Sequence, residues 1–243
     1  MIAKDDAGWP LVNTPADALQ QLAADYEAHC IVATLSFSTH KKRAVLSGHE
    51  HTLIECTRAV AGTRAAGLDD LASEWRRIEE FVRALQGEMH MWILVSEHKF
   101  RAAWDMLVTT QGSAYWAACW LPNFEPAQQL EEHLSIVERV LFPKQRFFSP
   151  AMIINEAEVE CSICHVRGGE CNHVAGDIYA GEVAHRIIHD IEGVREISLV
   201  ENPADKRARA MYYDGMDLLT GELTGDSTRA ENKSKKRRAR RIR

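Results

Sequence analysis

The C-terminal half of the chain is built around a C-x2-C-x6-C-x-H pattern, Cys161-Ser-Ile-Cys164-His-Val-Arg-Gly-Gly-Glu-Cys171-Asn-His173. These thirteen residues hold three of the chain's six cysteines together with a histidine, a density that packing alone does not explain. Three thiolates and one imidazole form the Cys3His set that binds Zn²⁺ tetrahedrally, and the C-x2-C spacing turns both sulfurs inward from one tight loop. The pattern therefore predicts a structural zinc site with Cys161, Cys164, Cys171 and His173 as ligands.

Two glycines, Gly168 and Gly169, lie between the two pairs of ligands. Glycine adopts positive φ angles without strain, which would bring Cys171 and His173 back towards the first two cysteines. Four protein ligands close the coordination shell, whereas a catalytic zinc keeps one position open for water. Two alternatives stay open at this point: a disulfide or redox pair, and a catalytic site or a site for a metal other than zinc.

Two segments that follow this pattern resemble a known family. They are Gly176-Asp-Ile-Tyr179-Ala-Gly181 and Arg195-Glu196-Ile-Ser198-Leu-Val-Glu-Asn-Pro203-Ala204-Asp-Lys-Arg-Ala208. Residues 147–210 are similar to the C-terminal part of tailed-phage prohead (capsid maturation) proteases, where an E-[VI]-S-[LV]-V-x-x-P-A segment closes the fold. Some relatives carry a similar cysteine and histidine knuckle just before that segment.

The resemblance implies a serine, a histidine and an acid that act together on peptide bonds, with the acid at Glu196. A serine is harder to place, because Ser149 lacks the glycine that usually follows it and Ser162 lies within the zinc pattern. No upstream segment resembles the histidine strand of the family. We therefore expect a shared fold fragment rather than a shared activity.

Composition indicates an ordinary globular chain. With 243 residues and 46% apolar content, the chain is long enough for one large domain or two small ones. It has no run of about 18 apolar residues, and its N-terminus lacks the basic and apolar regions of a signal peptide. We expect a cytoplasmic protein with no membrane segment. Reducing conditions there favour metal over disulfide, and the three isolated cysteines are expected to be buried thiols: Cys30, Cys56 and Cys119.

Charge is distributed unevenly along the chain. The net charge is −6, but the last eleven residues hold eight basic side chains and no acid, which leaves 21 basic against 35 acidic residues elsewhere. Such a segment cannot bury enough apolar surface to fold alone, so we expect a disordered tail. It would contact RNA or DNA phosphates, an acidic protein surface, or only the acidic body of its own chain. The basic side chains are Lys233, Lys235, Lys236, Arg237, Arg238, Arg240, Arg241 and Arg243.

Amphipathic segments predict helices before residue 142. Thr14 as N-cap and Pro15 in the first turn begin a helix over residues 15–36. Another helix is predicted over residues 126–141. Between them, residues 89–121 hold four of the six tryptophans, and we expect a packed helical core or an interface with a protein partner there.

Glycines divide the remaining helical pattern. A helix over residues 38–67 is expected to break at Gly48. A better marked amphipathic helix over residues 68–85 is expected to end at Gly87.

Three polar clusters are weighed as further sites. Adjacent helical residues point in different directions, which favours surface positions for His49, Glu50 and His51. No second helix carries E-x-x-H to complete a carboxylate-bridged metal site, so the last helix should present a solvated polar face: Glu131, Glu132, His133 and Glu138. A strand with solvent-facing histidines is expected over residues 183–193. A second metal site or a hydrolytic site stays open as the lesser alternative there, formed by Glu182, His185 and His189.

Short strands are predicted at residues 152–154 and 196–200, so the predicted fold class is α+β. A mainly helical N-terminal region precedes a small zinc-stabilised β-rich module and a disordered basic tail. The predicted parts are a helical domain at 1–141, a junction at 142–150, a zinc-binding β-rich module at 151–215 and a flexible basic tail at 216–243.

These features favour a non-enzymatic zinc-binding interaction protein that is a component of a larger assembly. Its helical region would contact a protein partner, and its basic tail would contact nucleic acid. Two enzymes remain as alternatives: a serine protease related to the prohead proteases, and a zinc-dependent hydrolase or nuclease.

Overall fold

The structure is a computed structural model of the 243-residue chain. It describes residues 14–143, 146–168, 171–201, 203, 205–210, 212–213 and 216–217. Within that part, α-helices come first and a small strand-rich region follows. The predicted α+β class is confirmed.

Five α-helices form the N-terminal part of the described chain. α1 is Pro15–Cys30, and a π-helical turn, Ile31–Leu35, continues it. The other helices are α2 (Thr39–Ala65), α3 (Asp69–Ser96), α4 (Phe100–Trp120) and α5 (Glu125–Leu141). Thr14 is the N-cap of α1, as predicted, because its hydroxyl accepts a hydrogen bond from the Asp17 N–H at 3.2 Å.

Both predictions of a helix interrupted at glycine are wrong. α2 continues through Gly48, and α3 continues through Gly87 as far as Ser96. An interior glycine destabilises a helix by only about 1 kcal/mol relative to alanine, and tertiary packing overrides that amount. Gly87 has a packing role instead, since a Cβ there would lie 2.2 Å from Oγ1 of Thr110 on α4. Glycine at this position lets α3 and α4 approach closely.

α3 is the central helix, and it packs along α2 on one side and along α4 on the other. Its apolar stripe is buried over almost its whole length, and buried side chains of α4 and α5 complete the core. The largest of these side chains are Ile78, Phe81, Leu85, Met89, Trp104, Leu107, Leu130 and Leu134. The prediction of a packed helical core for the tryptophan-rich stretch therefore holds for Trp104, which is fully buried.

Eight short strands follow the helices in the described chain. They pair in twos: β1 with β6, β2 with β5, β3 with β4, and β7 with β8. The last three pairs are antiparallel. Their bounds are β1 Phe147–Ile154, β2 Val159–Cys161, β3 Ile178–Tyr179, β4 Glu182–Val183, β5 Arg186–Ile188, β6 Ile191–Val200, β7 Tyr212–Tyr213 and β8 Met216–Asp217.

The chain divides into two compact units. The first unit contains the described residues up to Val137 together with Ile154–Glu192, so the predicted zinc ligands and most of the helical region belong to it. The second unit contains Glu138–Ile153 and the described residues from Gly193 onward. This division differs from the boundaries predicted at residues 141 and 151. Independent folding of segments 1–141 and 151–215 stays a prediction.

The second unit contains most of the two longest described strands, β1 and β6, and a few ionic contacts. Phe142 and Phe147 are its buried aromatic side chains, and Arg209 lies over the Phe142 ring at 5.8 Å. Lys206 pairs with Glu138 at 2.5 Å, so Glu138 has a cationic partner and is buried, contrary to the predicted solvated position.

The predicted basic tail falls almost entirely outside the described residues. Its first two residues form β8, Met216–Asp217, which pairs with β7 and so belongs to a hairpin. The eight basic residues from Lys233 to Arg243 lie outside the described residues. Among the helices that the structure describes, none combines the length and apolarity needed to cross a membrane.

Candidate metal centre

The four predicted zinc ligands lie together in the first unit. The ligand atoms of Cys161, Cys164, Cys171 and His173 are all within 4.8 Å of one another. Donor atoms bound tetrahedrally to zinc at about 2.0–2.3 Å lie roughly 4 Å apart, so a small inward adjustment completes the site. Elsewhere in the described chain, no other group of three or more such residues has its ligand atoms gathered in this way.

The first two cysteines lie on a tight turn that begins where β2 ends. The Cys161 N–H donates to the carbonyl of Val166 at 3.0 Å, and the His165 N–H donates to the carbonyl of Cys161 at 2.9 Å. His165 has φ 58° and Gly168 has φ 79°, so both residues occupy the left-handed region. The positive φ predicted for Gly168 is confirmed, while Gly169 lies outside the described residues.

The backbone of this turn also favours the thiolate form of Cys161. Backbone N–H groups of Cys164 and Ile163 donate to the Cys161 sulfur and lower the pKa of its thiol to about 6. Nη1 of Arg186 on β5 lies 3.9 Å from Sγ of Cys171. Thiolate is the form of cysteine that binds metal, and N–H donors around the sulfurs stabilise the negative charge of such a site.

His173 is held in place by an aromatic neighbour. Its ring lies edge-on to the Tyr179 ring, with centroids 4.6 Å apart and planes at 89°. The Tyr179 hydroxyl accepts a hydrogen bond from the Val174 N–H at 3.0 Å, which fixes the tyrosine in turn. Nδ1 of His173 is buried and has no hydrogen-bond partner in the described chain. Buried polar atoms normally have a partner, and a metal ion would supply one here.

Two tryptophans of α4 connect the ligand segment to the helices. The Trp120 indole N–H donates to the carbonyl of Gly176 at 3.0 Å. Trp116 stacks on Trp120 with centroids 5.3 Å apart, and a Cβ at Gly176 would lie 2.6 Å from the Trp116 ring. Gly176 also has φ 94°, so both space and backbone conformation require glycine at this position.

A second contact joins the same segment to α2 and α3. The Gly181 N–H donates to Oγ of Ser73 at 3.2 Å, and a Cβ at Gly181 would lie 2.9 Å from Val60. Beside it, the Arg64 guanidinium pairs with the Glu182 carboxylate. Helix side chains therefore hold both ends of the Gly176–Gly181 segment.

The alternative site at Glu182, His185 and His189 is not assembled. Glu182 pairs with Arg64, and His185 is exposed. Nε2 of His189 lies 2.9 Å from a carboxylate oxygen of Glu160 instead. Each of the three side chains therefore has separate surroundings.

No described contact joins the residues that bear on the protease resemblance. Glu196 is exposed on β6 and accepts a hydrogen bond from the Ser198 hydroxyl at 3.3 Å. Ser162 accepts one from the His185 backbone N–H at 2.9 Å. Ser149 on β1 has no hydrogen bond to a histidine among the described residues. A catalytic triad built on Glu196 therefore has no support from these contacts.

Sequence reasoning missed a buried polar cluster in the helical part. His49 and His133 were expected at the surface, but His49 is buried and His133 lies against the buried carboxylate of Glu88 at 3.0 Å. The missed signal is Glu88 itself, which follows Phe81 and Leu85 at helical spacing on the apolar stripe of α3. Of the three isolated cysteines predicted to be buried, Cys56 is buried, Cys30 is half-buried and Cys119 is exposed.

Comparison with known proteins found no match from which the role of this centre could be inferred. No family model, curated protein or solved structure matches the chain. The resemblance of residues 147–210 to prohead proteases accordingly stays a prediction. Interpretation of the metal centre depends on its own geometry.

Proposed function

We propose that this chain is a non-enzymatic zinc-binding interaction protein in which one structural Zn²⁺ is bound by Cys161, Cys164, Cys171 and His173. The observation that carries the proposal is the convergence of these four ligand atoms within 4.8 Å. Four protein ligands satisfy tetrahedral zinc and leave no open position for a water nucleophile. A structural role is therefore favoured over a zinc-dependent hydrolase or nuclease.

In this proposal zinc fixes a segment that has little core of its own. β2 and β5 are three residues long, and β3 and β4 are two residues long. Strand pairs of this size are not stable alone in water, so a metal crosslink supplies the missing stabilisation. The fixed segment then lies against Trp116 and Trp120, which makes those tryptophans natural reporters of zinc binding.

The first experiment compares single cysteine variants. Cys171→Ser removes a ligand and should reduce zinc content from one ion per chain to a small fraction, measured by elemental analysis after dialysis. Cys119→Ser is the matched control, because Cys119 is exposed and outside the cluster. Equal zinc content in the two variants contradicts the proposal.

We also propose that the basic residues from Lys233 to Arg243 contact nucleic acid. Eight cations without an intervening acid are suited to displacing counterions from phosphates. Replacing all eight by glutamine keeps the chain length and should weaken duplex DNA or RNA binding. The salt slope of the binding constant should fall by about 0.9 for each B-DNA phosphate that the altered tail no longer neutralises. Binding that is unchanged after the replacement rules out this part of the proposal.

A protein partner would contact the helical region. Exposed apolar side chains lie close in sequence in the π-helical turn after α1 and just before α2: Ile31, Leu35 and Phe37. Phe37 is 99% exposed, which is unusual for a large aromatic side chain. Phe37→Ser should therefore reduce association with the partner that co-purifies with the native chain. Ile54→Ser, at another exposed apolar position on α2, is the control.

A further inference from the structure

A cavity of about 440 Å³ lies between α1 and α2 in the first unit. Apolar side chains form much of its wall, including Leu22, Val32 and Leu85, and the imidazoles of His29 and His49 also line it. Cavities that bind small molecules have volumes of about 300–1,000 Å³ and combine apolar walls with a few polar groups. This cavity is of that size and composition, and it is remote in sequence from the metal ligands.

Behind the cavity lies a chain of buried polar groups. Glu88 and His29 are 1% and 2% exposed, and Nε2 of His29 lies 2.9 Å from Oε2 of Glu88. Nδ1 of His29 lies 2.9 Å from Nε2 of His49, which carries the chain to the cavity wall. On its other side, Glu88 has the His133 imidazole at 3.0 Å. Three helices besides α3 therefore contribute to one connected cluster.

Burial and the contacts within this cluster shift the pKa values of three of its members. Burial raises the pKa of Glu88, but His133 and His29 lower it by more, and the net pKa is about 2. The neighbouring carboxylate raises the pKa of His133, and Nε2 of His133 lies 3.0 Å from Oε1 of Glu88. Burial and the neighbouring His29 lower the pKa of His49 to about 3, so His49 is neutral at pH 7.

The geometry also orders the hydrogen bonds. An ionised carboxylate only accepts, so Nε2 of His29 donates to Glu88, and we assign the tautomer in which Nδ1 of His29 accepts from Nε2–H of His49. The tautomer assigned in this way leaves Nδ1 of His49 as an acceptor, and His49 has no other hydrogen bond in the described chain. Burying such a network generally stabilises a fold no more than apolar packing would. A cluster of this kind beside a cleft is therefore a candidate for function.

We propose that the cavity is a binding site for a small, mainly apolar molecule with one amine or hydroxyl group, which donates a hydrogen bond to His49. The acidic residues Asp25 and Glu55 also line the cavity. Their charge favours a cationic head group over an anionic one. An aliphatic or arylalkyl amine, which is cationic at neutral pH, fits best, an alcohol binds less tightly, and a carboxylate is disfavoured. The site does not depend on zinc or on the proposed interaction function.

Three matched probes test the chemistry: benzylamine, benzyl alcohol and benzoate. Each is titrated into the full chain while the imidazole signals of His29 and His49 are followed by NMR. Signals are assigned with His49→Gln, in which the benzylamine affinity should also fall. We expect benzylamine to shift both histidines and to bind at least about tenfold more tightly than benzoate.

Two exposed alanines on α1 provide a matched pair of variants. Ala28 lines the cavity, whereas Ala23 does not. Ala28→Phe should fill the cavity and weaken benzylamine at least about tenfold, while Ala23→Phe should leave its affinity unchanged. Ala44→Phe, which enters the cavity from α2, is the second blocking variant if Ala28→Phe fails to fold.

Three results would overturn the proposal. One is the absence of histidine shifts with every probe up to about 10 mM, a range in which fragments of this size bind real sites. Another is equal benzylamine binding by the blocking variants and by Ala23→Phe, which places the probe elsewhere. The third is benzoate binding as tightly as benzylamine, which contradicts the donor chemistry assigned to the ligand.

Discussion

At the scale of single residues, Gly87 allows two helices to pack closely because it has no Cβ. A Cβ at Gly87 would lie 2.2 Å from Oγ1 of Thr110, whereas a Cβ at Gly112 has no atom within 4 Å. Both glycines are inside helices, so alanine gains the same helix propensity at each position. Only the tertiary neighbour distinguishes them.

Gly87→Ala should therefore destabilise the fold by about 1–3 kcal/mol, the range for overpacking a close contact. Gly112→Ala should stabilise it by about 0.5–1 kcal/mol, because alanine is the better helix former. Denaturant unfolding measures both. The double variant Gly87→Ala with Thr110→Ala should recover much of the loss, and a failure to recover would show that the contact with Thr110 is not the cause.

His49 makes stability depend on pH. The pKa of this buried imidazole is about 3, against about 6.5 for an ordinary histidine. A histidine with a lowered folded-state pKa contributes stability above its unfolded pKa and loses it as pH falls. We expect the free energy of unfolding to decline by about 1.4 kcal/mol per pH unit from this residue between about pH 6 and pH 4.5.

His49→Gln should remove that decline, as measured by denaturant unfolding across the pH series. His40→Gln, at an exposed position on the same helix, should keep the slope of the unmodified chain. A second loss is expected below about pH 4.5, because Glu88 has a lowered pKa and gives up its stabilisation as it protonates. An identical slope in His49→Gln and the unmodified chain would contradict the assigned burial effect.

At the scale of elements, the metal-ligand segment and α4 are coupled through Gly176. Its φ of 94° and its contact with the Trp116 ring both exclude a side chain. Gly176→Ala should displace the tryptophan pair, change the tryptophan fluorescence spectrum and weaken zinc retention against a chelator. Gly193→Ala, where a Cβ has no atom within 4 Å, should do neither. Unaltered fluorescence in Gly176→Ala would argue against the coupling.

The same elements show which parts of the fold a sequence can predict. The ligand turn is local: thirteen consecutive residues carry all four ligands, and Gly168 has the expected backbone conformation. Amphipathic periodicity likewise predicted helices where the structure has them. The breaks expected at Gly48 and Gly87 were wrong, because the effect of a helical glycine depends on neighbours that are distant in sequence.

At the scale of the whole molecule, non-local contacts set the limits of prediction. His29, His49, Glu88 and His133 are on four different helices, so no spacing rule connects them before the chain folds. Ser73 and Trp120 are likewise far in sequence from the glycines of the ligand segment that they contact. The order of helices and strands was predictable, whereas these long-range pairings were not.

Metal removal tests how far the ligand segment depends on zinc. With a strong chelator, backbone hydrogen exchange should speed up over residues 157–186, which have short strands and little core. The buried amides of α3 should stay protected, because their stability comes from packing against α2 and α4. Uniform loss of protection along both regions would mean that zinc stabilises the helical part as well.

The most direct measurement is X-ray absorption at the zinc edge on the purified full chain, with elemental analysis of the same sample. We predict one zinc ion per chain, with three sulfurs at about 2.3 Å and one nitrogen at about 2.0–2.1 Å. A sample without zinc whose cysteines are paired as disulfides would contradict the four-ligand site, and an oxygen in place of one ligand would contradict its structural role.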